Sequence, residues 1–256
     1  VGCAIGFPPV GVIPFCGAFE EQAPDLEYFI DFDELDHARW NRELEADVAA
    51  KGASAEGERR ADVESVWCST IKELDKGLID GPWSSSDMDA MFGVGNWRAM
   101  RRFAVWQRGK CRACDNAAES LHNNATALLE KFRADAADFP ACVAALFEQV
   151  SGRERGSFGL EGGTDDVEAA YRRLMCSMPG FTAFALWDPS EGRVAFFTLP
   201  GFNFGLASAV VTFNRFTYQV VRLARAVFAW TGTAFFDDFL SMDPSFAHGS
   251  GQRAIC

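Results

Sequence analysis

The sequence predicts an α+β fold in which helices back a small antiparallel sheet, and three observations predict it. Leu206–Trp230 carries apolar residues at helical spacing over a length that strands rarely reach. One strand pair precedes it, Phe181–Trp187 and Arg193–Leu199 about a turn containing Pro189, and a second, Thr233–Leu240, follows it around Asp237-Asp238. The last hundred residues thus run loop or strand, helix, hairpin, long helix, hairpin, which places helices on one face of the sheet.

Nearer the N-terminus, residues 1–58 read as an irregular Pro/Gly-rich start and an acidic stretch, with Lys51–Gly57 as a small polar linker. Val63, Val66, Trp67, Ile71 and Leu74 recur at helical spacing between Arg59 and Lys76, and Gly77 closes that helix. Gly81-Pro82-Trp83 reads as a turn, and Ser86 as the cap of a short helix through Met91. Arg101–Trp106 and Lys110–Asp115 read as strands joined by a tight Gln107-Arg108-Gly109 turn, with Phe103 and Val105 turned to the core and the arginines to water. Ala125–Val150 reads as mostly helical with a break near Pro140, and Gly152–Gly163 as a loop.

Of the 256 residues, 48% are hydrophobic, enough for a sizeable packed core. No run approaches the ~20 apolar residues of a membrane span. Val1–Phe19 is apolar but broken by Pro8, Pro9 and Pro14 and lacks a basic start, so neither a signal peptide nor a membrane partner is expected. The eight cysteines are scattered and suit reduced thiols in an intracellular protein, cytoplasmic or nuclear. Cys111 and Cys114 form a C-x-x-C, but no second pair follows and His122 alone does not complete a zinc site.

The net charge of −12 divides unevenly: residues 1–97 carry −13 and residues 98–256 carry +1. Between residues 98 and 112, Arg98, Arg101, Arg102, Arg108, Lys110 and Arg112 occur without an acid, interleaved with Phe103 and Trp106. Cations and aromatics in one stretch suit single-stranded nucleic acid through phosphate contact and stacking.

Three features carry the chemistry. Asp166 opens Asp166-Val167-Glu168-Ala169-Ala170-Tyr171, Phe204-Gly205-Leu206-Ala207-Ser208-Ala209 opens the long helix, and Asp237-Asp238 follows Phe235-Phe236. Paired aspartates between apolar strands crowd like charges, and a divalent cation offsets that repulsion. In this order the sequence resembles the reverse transcriptases. Their first palm motif, D-x-x-x-A-Y/F, is met by Asp166 to Tyr171. The second, P-F-G-L-x-S-A-x-x-x-F, is met from Phe204 with Phe213, and the third, Y/F-x-D-D, from Phe235. The pattern looks closest to retroelements of the tyrosine-recombinase and pararetrovirus type. Upstream, Lys110-Cys111-Arg112-Ala113-Cys114-Asp115 looks like the basic fingers hairpin ending in R-x-x-D, with Ser120 and Asn123 in its S-x-x-N. Asn203 stands where Pro is common, Phe235 where Tyr is more frequent, and Gly162-Gly163-Thr164 makes a poor strand before Asp166.

The resemblance implies a right-hand polymerase: residues 1–58 an acidic N-terminal extension, 59–160 the fingers and 161–256 the palm, with the thumb absent. It implies two Mg²⁺ ions, replaceable by Mn²⁺, held by Asp166, the Val167 carbonyl, Asp237 and Asp238. Lys110, Arg112, Ala169, Ala170, Tyr171, Phe204 and Gly205 would bind the dNTP, and Arg101, Arg102 and Arg108 the template. The implied partners are an RNA or DNA template with its primer, and dNTPs. Thumb and RNase H segments would lie elsewhere in the polyprotein. Tyr171 would exclude the ribose 2′-hydroxyl, which disfavours an RNA-dependent RNA polymerase. The competing expectation is a decayed or domesticated copy that binds nucleic acid or a partner protein without catalysis.

Overall fold

The computed structural model describes residues 6–134, 138–151 and 159–255. In chain order, β1 (Gly11–Ile13) and β2 (Glu20–Glu21) precede the helices α1 (His37–Ala53) and α2 (Gly57–Asp75). Next come β3 (Asp80–Trp83), α3 (Ser85–Phe92), and the long strands β4 (Met100–Gln107) and β5 (Lys110–Asp115). Two short strands, β6 (Thr126–Leu128) and β7 (Glu130–Lys131), lead to α4 (Asp138–Ser151) and β8 (Leu160–Asp166). The chain closes with β9 (Phe184–Asp188), β10 (Arg193–Thr198), α5 (Ala207–Phe228), β11 (Gly232–Phe235), β12 (Asp238–Pro244) and α6 (Ser250–Ile255). The class is mixed, α+β. Among the described residues no helix is long and apolar enough to cross a membrane.

The chain forms two compact units. The first comprises residues 1–14, 23–129 and 171–209, and the second residues 15–22, 130–170 and 210–256.

The first unit is built on a five-stranded mixed sheet ordered β3-β10-β9-β4-β5, in which β4 and β9 run parallel. Its central strands β9 and β10 are buried nearly throughout, with no alternation of polar residues. That pattern belongs to a strand covered on both faces. From α1, Leu44 and Val48 pack with Ala185, Val194 and Phe196 on one face. On the other face Trp67 of α2 meets Phe197 edge-on. The Phe181–Leu199 hairpin thus enters a two-sided sheet, rather than the one-sided sheet its turn suggested.

The second unit holds the antiparallel sheet β11-β12-β8. Val221 and Ala224 of α5 pack with Trp230 and Phe239 against this sheet, joined by Val167 and Ala234. Here the expected layer of a long helix on a small antiparallel sheet is present.

Several local expectations need correction. Residues 37–53 form a helix, not an irregular acidic stretch, capped by Asp36 accepting from the Arg39 N–H at 2.8 Å. Its apolar face is thin, with Leu44 and Val48 its buried aliphatic residues, so periodicity barely marks it. Ser84, not Ser86, caps α3, in a reciprocal box with Asp87. Gly81-Pro82-Trp83 lies in the edge strand β3, where Pro's missing N–H costs no ladder bond. The stretch expected to be helical from Ala125 begins with β6 and β7, and among the described residues its helical part is Asp138–Ser151, which includes Pro140. Residues 160–163 are strand rather than loop, paired through Gly162↔Met242 and Gly163↔Ser241. The remainder of that expected loop, 152–158, lies outside the described residues.

Candidate active site

The second unit gathers the three acidic residues. Asp166 ends β8, Asp238 begins β12, and the two are direct partners across the antiparallel ladder. Such neighbours place their side chains on one face, with Cβ atoms about 5 Å apart. Phe235 and Asp238 close a hairpin whose two-residue loop is Phe236-Asp237. The Val167 N–H donates to the Asp237 carbonyl at 3.0 Å, carrying the pairing one step beyond Asp166. Phe236 takes the left-handed conformation, with φ +57°, which costs a bulky residue about 1–3 kcal/mol. Its ring packs 5.2 Å from Phe132 and 4.9 Å from Phe235, which holds the turn.

Burial raises the pKa of Asp237 above the usual 3.8, and the nearby Asp238 and Asp166 carboxylates push it the same way. The folded chain therefore holds this proton to higher pH than the unfolded chain does. The stability this proton brings is greatest at acid pH and is lost as the pH rises through the folded value. Asp237→Asn is accordingly expected to melt above the wild type at pH 7 without divalent cations. The gap should shrink near pH 4 or on adding Mg²⁺. A variant that melts lower at pH 7 would contradict the crowding of these charges.

Among the described residues, no three His, Cys, Asp or Glu side chains close into a chelating group. The donor set nevertheless fits Mg²⁺ in kind. That ion keeps several waters and binds through one or two carboxylates plus substrate phosphates, not in an all-protein cage. Asp166 and Asp238 are exposed and Asp237 is half-buried, so two of the three carboxylates face solvent, where such an ion would arrive hydrated.

Most of the other expected site residues lie in the first unit. Lys110 and Arg112 are exposed on β5, opposite Gln107 and Val105 of β4. Arg108 and Gly109, with φ +49° and +76°, form the turn that presents them. On β4 the facing is the reverse of the expected one, while on β5 Arg112 faces water as expected. Phe103 is 39% exposed, whereas Arg102 is buried under α2. Its guanidinium binds both Asp115 oxygens, at 2.7 and 3.0 Å, and Glu73 at 3.1 Å, and stacks 3.5 Å from the Phe184 ring centroid. Arg102 is thus a core ion pair and cannot touch a template as expected. Arg98 is buried as well, donating to the Ser120 carbonyl at 2.7 Å, and burial pulls its pKa down to about 10. Arg101 is engaged with Asp47 and Glu119. Arg108, Lys110 and Arg112 remain exposed. Cys111 and Cys114, three apart on one strand, point to opposite faces and cannot share a zinc ion.

Tyr171 is half-buried, its ring 5.0 Å from that of Phe204. Gly205 has φ +121°, and a Cβ there would lie 2.5 Å from the Asp115 carbonyl oxygen. Asn123 clamps the segment after it, donating to the Gly205 carbonyl and accepting from the Ala207 N–H, both at 2.9 Å. Tyr171, Phe204 and Gly205 are thus together in the first unit. Ala169 and the buried Ala170 follow Asp166 in the second unit, Ala169 at φ +56°.

Sequence reasoning missed Arg172 and the side chain of Asn203, which join Arg102 on Asp115, and Glu73, which pairs with both arginines. Burial raises the Asp115 carboxyl, but Arg102, Arg172 and Asn203 outweigh it and hold the group ionised, below the usual carboxylate range. Asn203 standing where Pro is common was the one available signal. No family model matches the chain, and no curated protein matches it.

Proposed function

We propose that this chain carries the fingers and palm of a reverse transcriptase, an RNA-directed DNA polymerase working by two-metal nucleotidyl transfer. The observation that carries the reading is the direct cross-strand pairing of Asp166 with Asp238 beside the Asp237 turn, three carboxylates otherwise separated by about 70 residues of sequence. Asp166, Asp237 and the Val167 carbonyl would hold the Mg²⁺ ions, with Asp238 supporting them. Bound there, the ions would lower the pKa of a primer 3′-hydroxyl and offset charge on the triphosphate. Lys110 and Arg112 would grip the phosphates, Arg bidentately and Lys as a point charge. Arg108 would meet the template, and the Tyr171–Phe204 pair would set the sugar choice.

A ring held beneath the incoming ribose rejects a 2′-hydroxyl by clash, whereas a merely apolar pocket rejects an added hydroxyl only about a hundredfold. Tyr171→Val is therefore expected to admit ribonucleotides while deoxynucleotide use persists. The check is single-nucleotide incorporation with rNTP against dNTP. Lost stability with unchanged sugar preference would return Tyr171 to core packing.

The second reading, a non-catalytic copy that binds nucleic acid or a partner, draws on the absence of a closed chelating group among the described residues. Metal-dependent incorporation separates the two.

A further inference from the structure

The first unit contains a buried, neutral cluster of two arginines and two carboxylates that the chemistry above does not use. Arg102 and Asp115 are cross-strand partners on β4 and β5, with both side chains fully buried. Glu73 of α2 and Arg172 complete the set, at 3.1 Å from Arg102 and 3.3 Å from Glu73 respectively. One oxygen, Asp115 Oδ2, collects donors from Arg102 at 3.0 Å, Asn203 at 2.9 Å and Arg172 at 3.5 Å. Arg102 with Glu73 and the Phe184 face would already satisfy a plain core ion pair. The additional donors come from the segments that carry Phe204 and Tyr171.

Asn203 immediately precedes Phe204, and Arg172 immediately follows Tyr171. Arg172 also donates to the Phe202 carbonyl at 3.4 Å and lies 5.5 Å from the Phe204 ring centroid. The Phe202 N–H returns to the Tyr171 carbonyl at 3.0 Å. Asp115 acts through its backbone too, since its carbonyl oxygen packs where a Cβ on Gly205 would have to sit. Asn203 Oδ1 and Arg172 Nε are buried without a hydrogen-bond partner. Their other polar atoms bond within the cluster and to the Phe202 carbonyl.

We propose that Asp115 is a positioning residue that fixes the Phe204–Gly205 loop and the Tyr171 turn from one buried carboxylate. The same residue ends the strand that bears Lys110 and Arg112, so phosphate-gripping and sugar-selecting groups share one anchor. In this sequence the Asn203–Asp115 bond supplies the rigidity that proline would otherwise give the loop. The inference rests on the polymerase reading, and two readouts keep their failures apart.

Asn203→Ala removes one donor to Asp115 and leaves the Arg102–Asp115 pair intact. Losing a hydrogen bond to a charged group is worth about tenfold or more in an equilibrium. Single-turnover incorporation by the full chain should show the KM for dNTP raised about tenfold, kcat little altered, and ribonucleotide exclusion weakened. Asn203→Gln, which keeps the donor, should recover part of the loss. Amide hydrogen exchange on the same proteins needs no activity, and Asn203→Ala should speed exchange at both 202–207 and 171–174. Faster exchange in Asn203→Ala, together with a wild type that incorporates no nucleotide, would sink the polymerase reading alone. Unchanged exchange at 171–174, or a lower melting temperature with unaltered KM and sugar preference, would overturn the positioning role.

Discussion

Arg102→Ala is expected to destabilise the chain by about 3–5 kcal/mol, the cost of removing one partner from a buried ion pair. The magnitude follows from what is left behind. Asp115 keeps only the 3.5 Å contact from Arg172 and the Asn203 amide, in a site with no access to water. The Phe184 ring also loses the guanidinium stacked on it. For a chain of this size a loss of that order lowers the melting temperature by roughly 10 °C. Arg102→Met combined with Asp115→Leu should recover much of the stability, because neither buried charge of the pair remains. Denaturant unfolding checks both variants. A cost below about 1 kcal/mol for Arg102→Ala, typical of an exposed arginine, would restore the surface reading of this residue.

Asp166→Asn carries the largest expected effect on activity. Its neutral amide keeps the size of the side chain but gives up the charge that a hard cation needs. Mg²⁺-dependent nucleotide incorporation should fall by about a thousandfold or more, in line with losing a preorganised electrostatic contact at a reacting phosphate. Stability should hold or rise, because Asp166 is exposed and adds to the repulsion felt by Asp237. Measuring incorporation and melting on one preparation separates the two effects. Activity within a few-fold of the wild type would remove Asp166 from the metal site.

The parts legible in the sequence are those where local chemistry and tertiary packing agree. Arg108-Gly109 sits where a two-residue hairpin turn needs positive φ, and the turn is there. The long helix at Ala207–Phe228 and the hairpin at Asp237-Asp238 follow from spacing alone. The helix at 37–53 was hidden because few of its residues are apolar and buried. The strand at 160–166 was hidden because Gly162 and Gly163 lower strand propensity, and pairing to β12 overrides it. The facing of the β4 strand was misread for a different reason. Alternation fixes which residues share a face, but not which face α2 will cover, and here the covered face carries an arginine. No local rule reveals that Asp115, Glu73, Arg172 and Asn203 meet, since up to about 130 residues of sequence separate them.

Template-directed addition of one nucleotide, by excess purified chain on a primer–template in Mg²⁺, tests the central claim most directly. The account predicts addition of the deoxynucleotide complementary to the template base. It also predicts that EDTA, Asp166→Asn or Asp237→Asn abolishes the product. No addition by the wild type, or addition that ignores the template base or survives loss of the carboxylates, would contradict it.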